Sequence, residues 1–505
     1  MFYNGRHYSS EKDFIMQSKK KKILLEILVF VSLVLIMCIW YPNNNWKVIM
    51  GDDLIAVTGF RDRGFLGTLL NPENAQMGKV RPVSTIILYI VYKICNLSYA
   101  KYFLINRIVL IIVAYLIYYL SQKMDINKLF AFLIAILVIT TPFSSYGVWQ
   151  MIGICESFSL LCCVLCLYYI SRLILCENQK YIKKSIFWCT IWFALLIFNA
   201  ERFMYLIAVF LFVVILCNKL NIKEKICGII TLCMPIIVRT IIIGIAGGDS
   251  LNTGRGEATS LVGSLISYAI QGLINVFGFS IGQEWHGGYN YYSLPSYILL
   301  VGCFIALFSI GILYRSLEVW IKEKCNDSYV IVVMYMFSLS SLFSYALVAS
   351  THGEDRFLWV SYVYLCIAIM RYFSINIQQN RSKYFVLIGV IIVFVLNGYY
   401  VKNKIHVHYR YSQEMAQTCI DSINKLEGKN EIQNICCVKP SDYSWVFYGG
   451  VFFQYYVDEN INVYFYDDFE SIDYDILGDK TVVVYPDENY AIPYGTTACW
   501  ISDLK

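Results

Sequence analysis

The chain has 505 residues, of which 58% are hydrophobic and only 15% charged, with a mean hydropathy of +0.55. Soluble domains are closer to a quarter charged, so this much apolar surface excludes a soluble globule and calls for a bilayer as solvent. The net charge is a modest +5, and its Lys and Arg residues lie between apolar stretches. They read as a topology signal, and no nucleic-acid partner is expected.

In chain order, Lys19, Lys20, Lys21 and Lys22 precede an apolar run that continues to Trp40. That run is too long for a signal-peptide core and no small-residue cleavage site follows it, so it reads as an uncleaved anchor. Runs of spanning length then recur. The segments 23–41, 102–120, 129–143, 152–172, 185–200, 203–217, 226–246, 296–314, 329–350, 357–372 and 384–400 predict about eleven transmembrane helices.

Two segments need a decision. As one straight helix, 185–217 would be about 50 Å long against a hydrocarbon core of about 30 Å. Asn199, Glu201 and Arg202 interrupt it, which predicts a tight hairpin with Glu201 and Arg202 at the tip. Segment 83–96 follows Arg81-Pro82, is short, and carries Tyr89, Tyr92 and Lys93. It predicts an amphipathic helix lying in the outer interface.

With the N-terminus inside, segments 122–128, 173–184, 218–225, 315–327 and 374–383 fall inside, and each carries two or more Lys or Arg. The short outer loops 144–151, 201–202 and 351–356 carry at most one each. Either alternative choice above flips everything downstream and spoils this asymmetry. The expected architecture is therefore a polytopic α-helical membrane protein of the plasma membrane. Its parts are a cytoplasmic start (1–22), a membrane domain (23–401) with long outer loops 42–101 and 247–295, and an extracytoplasmic α/β domain (402–505). In that last part a helix is expected near 412–426 and strands at 435–438, 463–466 and 481–485. Its tyrosines, Tyr455 and Tyr456 among them, suit a half-buried sheet better than a sugar-stacking surface.

Most of the 18 cysteines lie in apolar runs, where they act as small hydrophobes. Cys436 and Cys437 are adjacent and face opposite ways in a strand, a poor disulfide pair.

The unusual polar residues gather on the outer side. Asp52 and Asp53 follow the first span by about ten residues, and Arg81 lies later in the same loop. Asn106 and Arg107 sit near the outer end of the second span, and Glu156 begins the fourth, just after Trp149. Glu201 and Arg202 form the hairpin tip; Glu284 and His286 lie in the second long loop; His352, Glu354, Asp355 and Arg356 follow the ninth span. Any one of these alone reads as a solvated loop residue or an interfacial anchor. Convergence of so many costly groups on one leaflet is what points to chemistry. A carboxylate beside an acceptor hydroxyl is a general base, and Arg offers a fork to the oxygens of a phosphate leaving group. Two adjacent carboxylates also suit a divalent metal, and the sequence leaves metal use open.

Gly51-Asp52-Asp53-Leu54, Arg81-Pro82, Asn106-Arg107 and Pro142…Trp149…Glu156 together resemble the GT-C glycosyltransferases. That group includes protein O-mannosyltransferases, aminoarabinose transferases and GtrII-like glucosyltransferases. The resemblance covers residues 23–202 in pattern and is architectural beyond. It implies a catalytic acid in the first outer loop, a polyprenyl-phosphate sugar donor, an extracytoplasmic glycan or cell-wall acceptor, and inversion at the anomeric carbon. By that carry-over Asp53 or Asp52 is the base, with Asp53 preferred. Substrate contacts are expected from Arg81, Arg107, Glu156, Glu201, Arg202, Glu284, His286, His352, Glu354, Asp355 and Arg356. Among these, some of Arg81, Arg107, Arg202 and Arg356 would hold the phosphate, and Glu201, His286 and His352 would meet sugar hydroxyls or stabilise charge. Loop 247–295 would close over the site and the C-terminal domain would hold the acceptor. Bacterial origin fits the Lys-, Ile-, Asn- and Tyr-rich usage.

Competing readings make other demands. A transporter of lipid-linked sugars needs ionisable groups near the midplane, where Arg239 stands nearly alone. A polysaccharide polymerase or ligase would use Arg and His without an early Asp pair. An acyltransferase would want a His within a span, and His286 and His352 are in loops. A mere anchor for the C-terminal domain needs none of these groups.

Overall fold

The structure, a computed structural model, describes residues 6–42, 47–71, 79–96, 98–247, 296–348, 355–376, 384, 386–393, 395, 406–438, 444–486 and 496–504. Helix α1 (Arg6–Trp40) is followed by α2 (Asp52–Leu69), α3 (Pro82–Cys95), α4 (Tyr99–Lys123) and α5 (Lys128–Thr140). Next come α6 (Ser145–Trp149), α7 (Gly153–Leu175), α8 (Gln179–Ile197), α9 (Ile207–Leu216) and α10 (Ile222–Ile245). The membrane part closes with α11 (Ser296–Glu323), α12 (Asn326–Val348) and α13 (Trp359–Asn376).

Among the described residues six helices are long and apolar enough to cross a membrane, or seven if α5 and the Pro142–Trp149 segment, bent by 58°, form one span. Their outer faces are oily: Ile226, Ile230, Ile237 and Ile241 of α10 are all exposed. In water such stripes would aggregate, so lipid is their partner. The expected count of about eleven is not reached for identifiable reasons. Segment 185–200 falls mostly in α8, whose start carries Lys180, Lys183 and Lys184. Segment 203–217 is divided between a 3-10 turn, Glu201–Leu206, and the ten-residue α9. Segment 329–350 corresponds to α12, and 384–400 is described only at 384, 386–393 and 395.

The hairpin is present. Phe193 and Phe210 are 17 positions apart yet their rings meet at 5.0 Å, whereas a straight helix would hold them roughly 25 Å apart. The interfacial helix is present too: α3, at about 21 Å, is too short to span, and Ile86, Ile90 and Ile94 form its exposed stripe. It packs on α2, where Phe60 and Phe65 meet Tyr89 and Tyr92. Three helices on the Lys-bearing side begin at an asparagine cap: Asn127, Asn178 and Asn221, the last in a full capping box with Glu224.

The C-terminal part begins with α14 (His406–Lys425) and carries β1 (Asn434–Val438), α15 (Val451–Tyr456), β2 (Asn462–Tyr466), β3 (Thr481–Pro486) and β4 (Thr496–Trp500). The sheet order is β2-β1-β3-β4, parallel except for β4. Side chains alternate as a pleat requires. Ile435, Cys437, Val482 and Val484 join the core that continues into the membrane bundle, while Cys436, Val438 and Val483 pack with Ile472 and Leu477 on the other face. Strand β4 is additional to the three expected strands; Thr496, Thr497 and Cys499 give it little hydrophobic signature.

Candidate active site

Asp52 and Asp53 are the first two residues of α2, where carboxylates complement the positive end of the helix dipole. Gly51 immediately precedes them at φ 61°, ψ −140°, a backbone conformation that a side chain would strain. The two carboxylates have different surroundings. Asp53 is 3% exposed, and both of its oxygens accept backbone N–H groups, Met151 at 2.7 Å and Ile152 at 3.1 Å. It therefore caps, from another helix, the turn that leads into α7. Burial pushes its carboxyl up to about 7, while those two N–H groups and the Arg356 guanidinium pull the other way. Asp52 is only half-buried and lies within electrostatic reach of Arg356.

The 146–153 turn that supplies these donors is packed tightly on itself. A Cβ on Gly153 would press on the Tyr146 carbonyl oxygen and on Gly147 Cα. Asn106 donates to the carbonyls of Val148 and Gln150, and the Tyr99 hydroxyl donates to that of Trp149 at 2.6 Å. The indole of Trp149 stacks on Phe103 at 4.8 Å.

The hairpin tip is held by two ion pairs. Arg81 grips both oxygens of Glu201, through Nε and Nη2, and Arg202 pairs with Glu156. Burial alone would raise the Glu201 carboxyl; Arg81, with Arg239 behind it, holds it at about 2. Val83 N–H also donates to the Phe198 carbonyl, fastening the start of α3 to the hairpin. The Arg202 guanidinium lies over Phe357 at 4.4 Å, and that of Arg356 over Tyr146 at 3.8 Å.

The structure thus brings Asp52, Asp53, Arg81, Glu156, Glu201, Arg202 and Arg356 to one end of the bundle. Arg107 takes another direction: it donates to Cys38 Sγ of α1 at 3.2 Å and lies over Phe103. Arg239, expected to stand nearly alone near the midplane, is 1% exposed and belongs electrostatically with Glu201 and Arg81. Its place in the last two turns of α10 is the available sequence signal. Glu284, His286, His352 and Glu354 lie outside the described residues, as does the loop 248–295; for Asp355 only the backbone is described. Each Asp53 oxygen accepts one backbone N–H, which fixes the carboxylate's orientation. Among the described residues no group of three His, Cys, Asp or Glu side chains comes together.

No family model and no curated protein matches the chain. Among solved structures it is similar to the oligosaccharyltransferase of Archaeoglobus fulgidus in the apo form, at 12% identity and a TM-score of 0.48 over 86% of this chain. The chain spans 64% of the length of that enzyme. It is also similar to ArnT from Cupriavidus metallidurans bound to undecaprenyl phosphate, at 9% identity and a TM-score of 0.48, covering 94% of this chain and 97% of that one.

Proposed function

We propose that this chain is a GT-C membrane glycosyltransferase that moves a sugar from a polyprenyl-phosphate donor to an extracytoplasmic glycan or cell-surface acceptor, with inversion. One observation carries the reading. A half-buried carboxylate, Asp52, sits at the start of α2 with the Arg356 cation beside it, where α2, the 146–153 turn, the hairpin tip and the C-terminal part meet.

Each group then has a task. Asp52 takes the proton of the acceptor hydroxyl, whose oxygen bonds to the anomeric carbon as the bond from that carbon to the donor phosphate breaks. The departing electron pair stays on the polyprenyl phosphate, and Arg356 stabilises its charge. Asp53 is assigned to positioning, since its oxygens are engaged; this reverses the preference drawn from sequence. Arg81 and Arg202, matched by Glu201 and Glu156, hold the hairpin tip and line the donor's approach. The transporter reading loses its support, because Arg239 lies with the outer cluster.

The test is transfer from a panel of polyprenyl-phosphate hexoses, N-acetylhexosamines and pentoses by wild type, Asp52→Asn and Asp53→Asn in membranes of matched protein content. Asp52→Asn is expected to lose about 10²- to 10⁴-fold, the usual contribution of a general base. Asp53→Asn should lose less per folded molecule. Full activity in both variants and in the double variant would remove the pair from the reaction.

A further inference from the structure

Among the described residues, the backbone polar groups of 48–51 just ahead of Asp52 are met mostly by the C-terminal part of the chain. Gln413 on α14 accepts from Val48 N–H at 3.2 Å and donates to the Val48 carbonyl at 2.6 Å. The Tyr456 hydroxyl on α15 does the same one residue on, accepting from Ile49 N–H at 2.7 Å and donating to its carbonyl at 3.1 Å. Gly51 N–H then donates to the Val446 carbonyl at 3.2 Å. Two side chains thus do for this connector what a neighbouring strand would do, engaging both polar groups of successive residues. Gln413 is 2% exposed, so these bonds are shielded from water.

The same helix face reaches the other half of the Asp53 site. Tyr409 lies one turn before Gln413 on α14, and positions four apart share a face. Its hydroxyl meets Gln150 Nε2 at 3.4 Å, and its ring lies 6.0 Å from Trp149. One helix therefore touches both the connector that carries the aspartates and the turn that supplies their N–H donors.

We infer that the C-terminal part sets the position of the Asp52–Asp53 pair, with Gln413 and Tyr456 as positioning residues acting through the backbone of 48–51. The clamp rests on the hydrogen bonds alone, and its effect on turnover rests on the transferase reading. A displacement near 1 Å at a reacting group costs about 100-fold in rate, so a loosened connector acts on turnover.

The experiment uses the full-length protein in detergent micelles with three variants of matched shape: Gln413→Met, Tyr456→Phe and Gln413→Glu. Amide hydrogen exchange reports the clamp itself. In the first two variants, exchange at Val48 and Ile49 should rise by about 10-fold or more while the cores of α4 and α7 stay protected. Transfer from the same donor panel reports function: kcat should fall about 10- to 100-fold with little change in KM for the donor. Gln413→Glu separates positioning from bulk stability. An ionised carboxylate repels the Val48 carbonyl, whereas the neutral acid again offers a donor and an acceptor. Activity relative to wild type should therefore recover as pH falls, while Gln413→Met stays flat. Unchanged exchange at 48–51 would overturn the clamp whatever the activity. Raised exchange with undiminished kcat would overturn its positioning role. Raised exchange in the variants, alongside a wild type that transfers no sugar from any donor, would overturn the transferase reading and the catalytic half of this inference with it.

Discussion

At the scale of single residues, the division between the two aspartates has a consequence for pH. Asp53 is raised from 3.8 to about 7, chiefly by burial. The native state then holds this proton more tightly than the unfolded chain does. Its contribution is full below about pH 4, and is lost as pH rises through about 7. The span of that loss is on the order of 4 kcal/mol at most. Asp53→Asn cannot ionise, and its amide turns an N–H towards one of two backbone donors, a fixed cost of about 1–3 kcal/mol. Thermal unfolding in detergent should therefore show the wild type well above the variant at pH 5, with the gap narrowing towards pH 8. Parallel curves would mean that Asp53 stays ionised throughout. The pair itself is legible from sequence, because two carboxylates next to a span are costly and conspicuous. Their division of labour is not, since it depends on N–H groups arriving from residues 151 and 152. The ion pairs are hidden for the same reason: Arg81 meets Glu201 from 120 positions away.

At the scale of elements, local signals serve where they are chemically strong. Glu201 and Arg202 break an apolar run too long for one span, and the hairpin follows. Arg81-Pro82 opens a helix too short to cross, and α3 starts at that proline. Helix α2 has no such signature. Gly59, Gly64 and Gly67, mixed with the charges of Arg61, Asp62 and Arg63, dilute its helical pattern, and only the aspartates at its start mark a beginning. The turn before α7 is exacting in a different way. Gly153→Ala sets a methyl against the Tyr146 carbonyl and Gly147, and overpacking of this kind costs about 1–3 kcal/mol. The strain falls on the segment that donates to Asp53. Gly153→Ala and Asp53→Asn should then be less than additive in thermal stability and in activity, because each breaks the same contact. Strict additivity would separate the turn from the aspartate.

At the scale of the whole molecule, the two ends of the bundle differ in kind, and that difference fixes an expected orientation. One end carries the Asp pair, the hairpin tip and the C-terminal part, the last tied to residues 48–51 by hydrogen bonds. The opposite end carries the asparagine caps and most of the lysines. There Arg371, 0% exposed, binds Asp327 at 2.7 Å, and the Ser374 hydroxyl accepts from Asn127 N–H at 2.7 Å, joining α13 to the starts of α12 and α5. By the positive-inside rule this second end is expected to face the cytoplasm. An epitope inserted after Lys324, in the turn between α11 and α12, should be reached by antibody only in permeabilised cells. One inserted after Gly428, beyond α14, should be reached on intact cells. Because α14 and Asp52 are bonded through one connector, the second epitope also reports the side on which the proposed transfer would take place. Labelling of both epitopes on the same face would break the alternation of spans. Labelling with the two sides exchanged would place the site in the cytoplasm, and with it the acceptor.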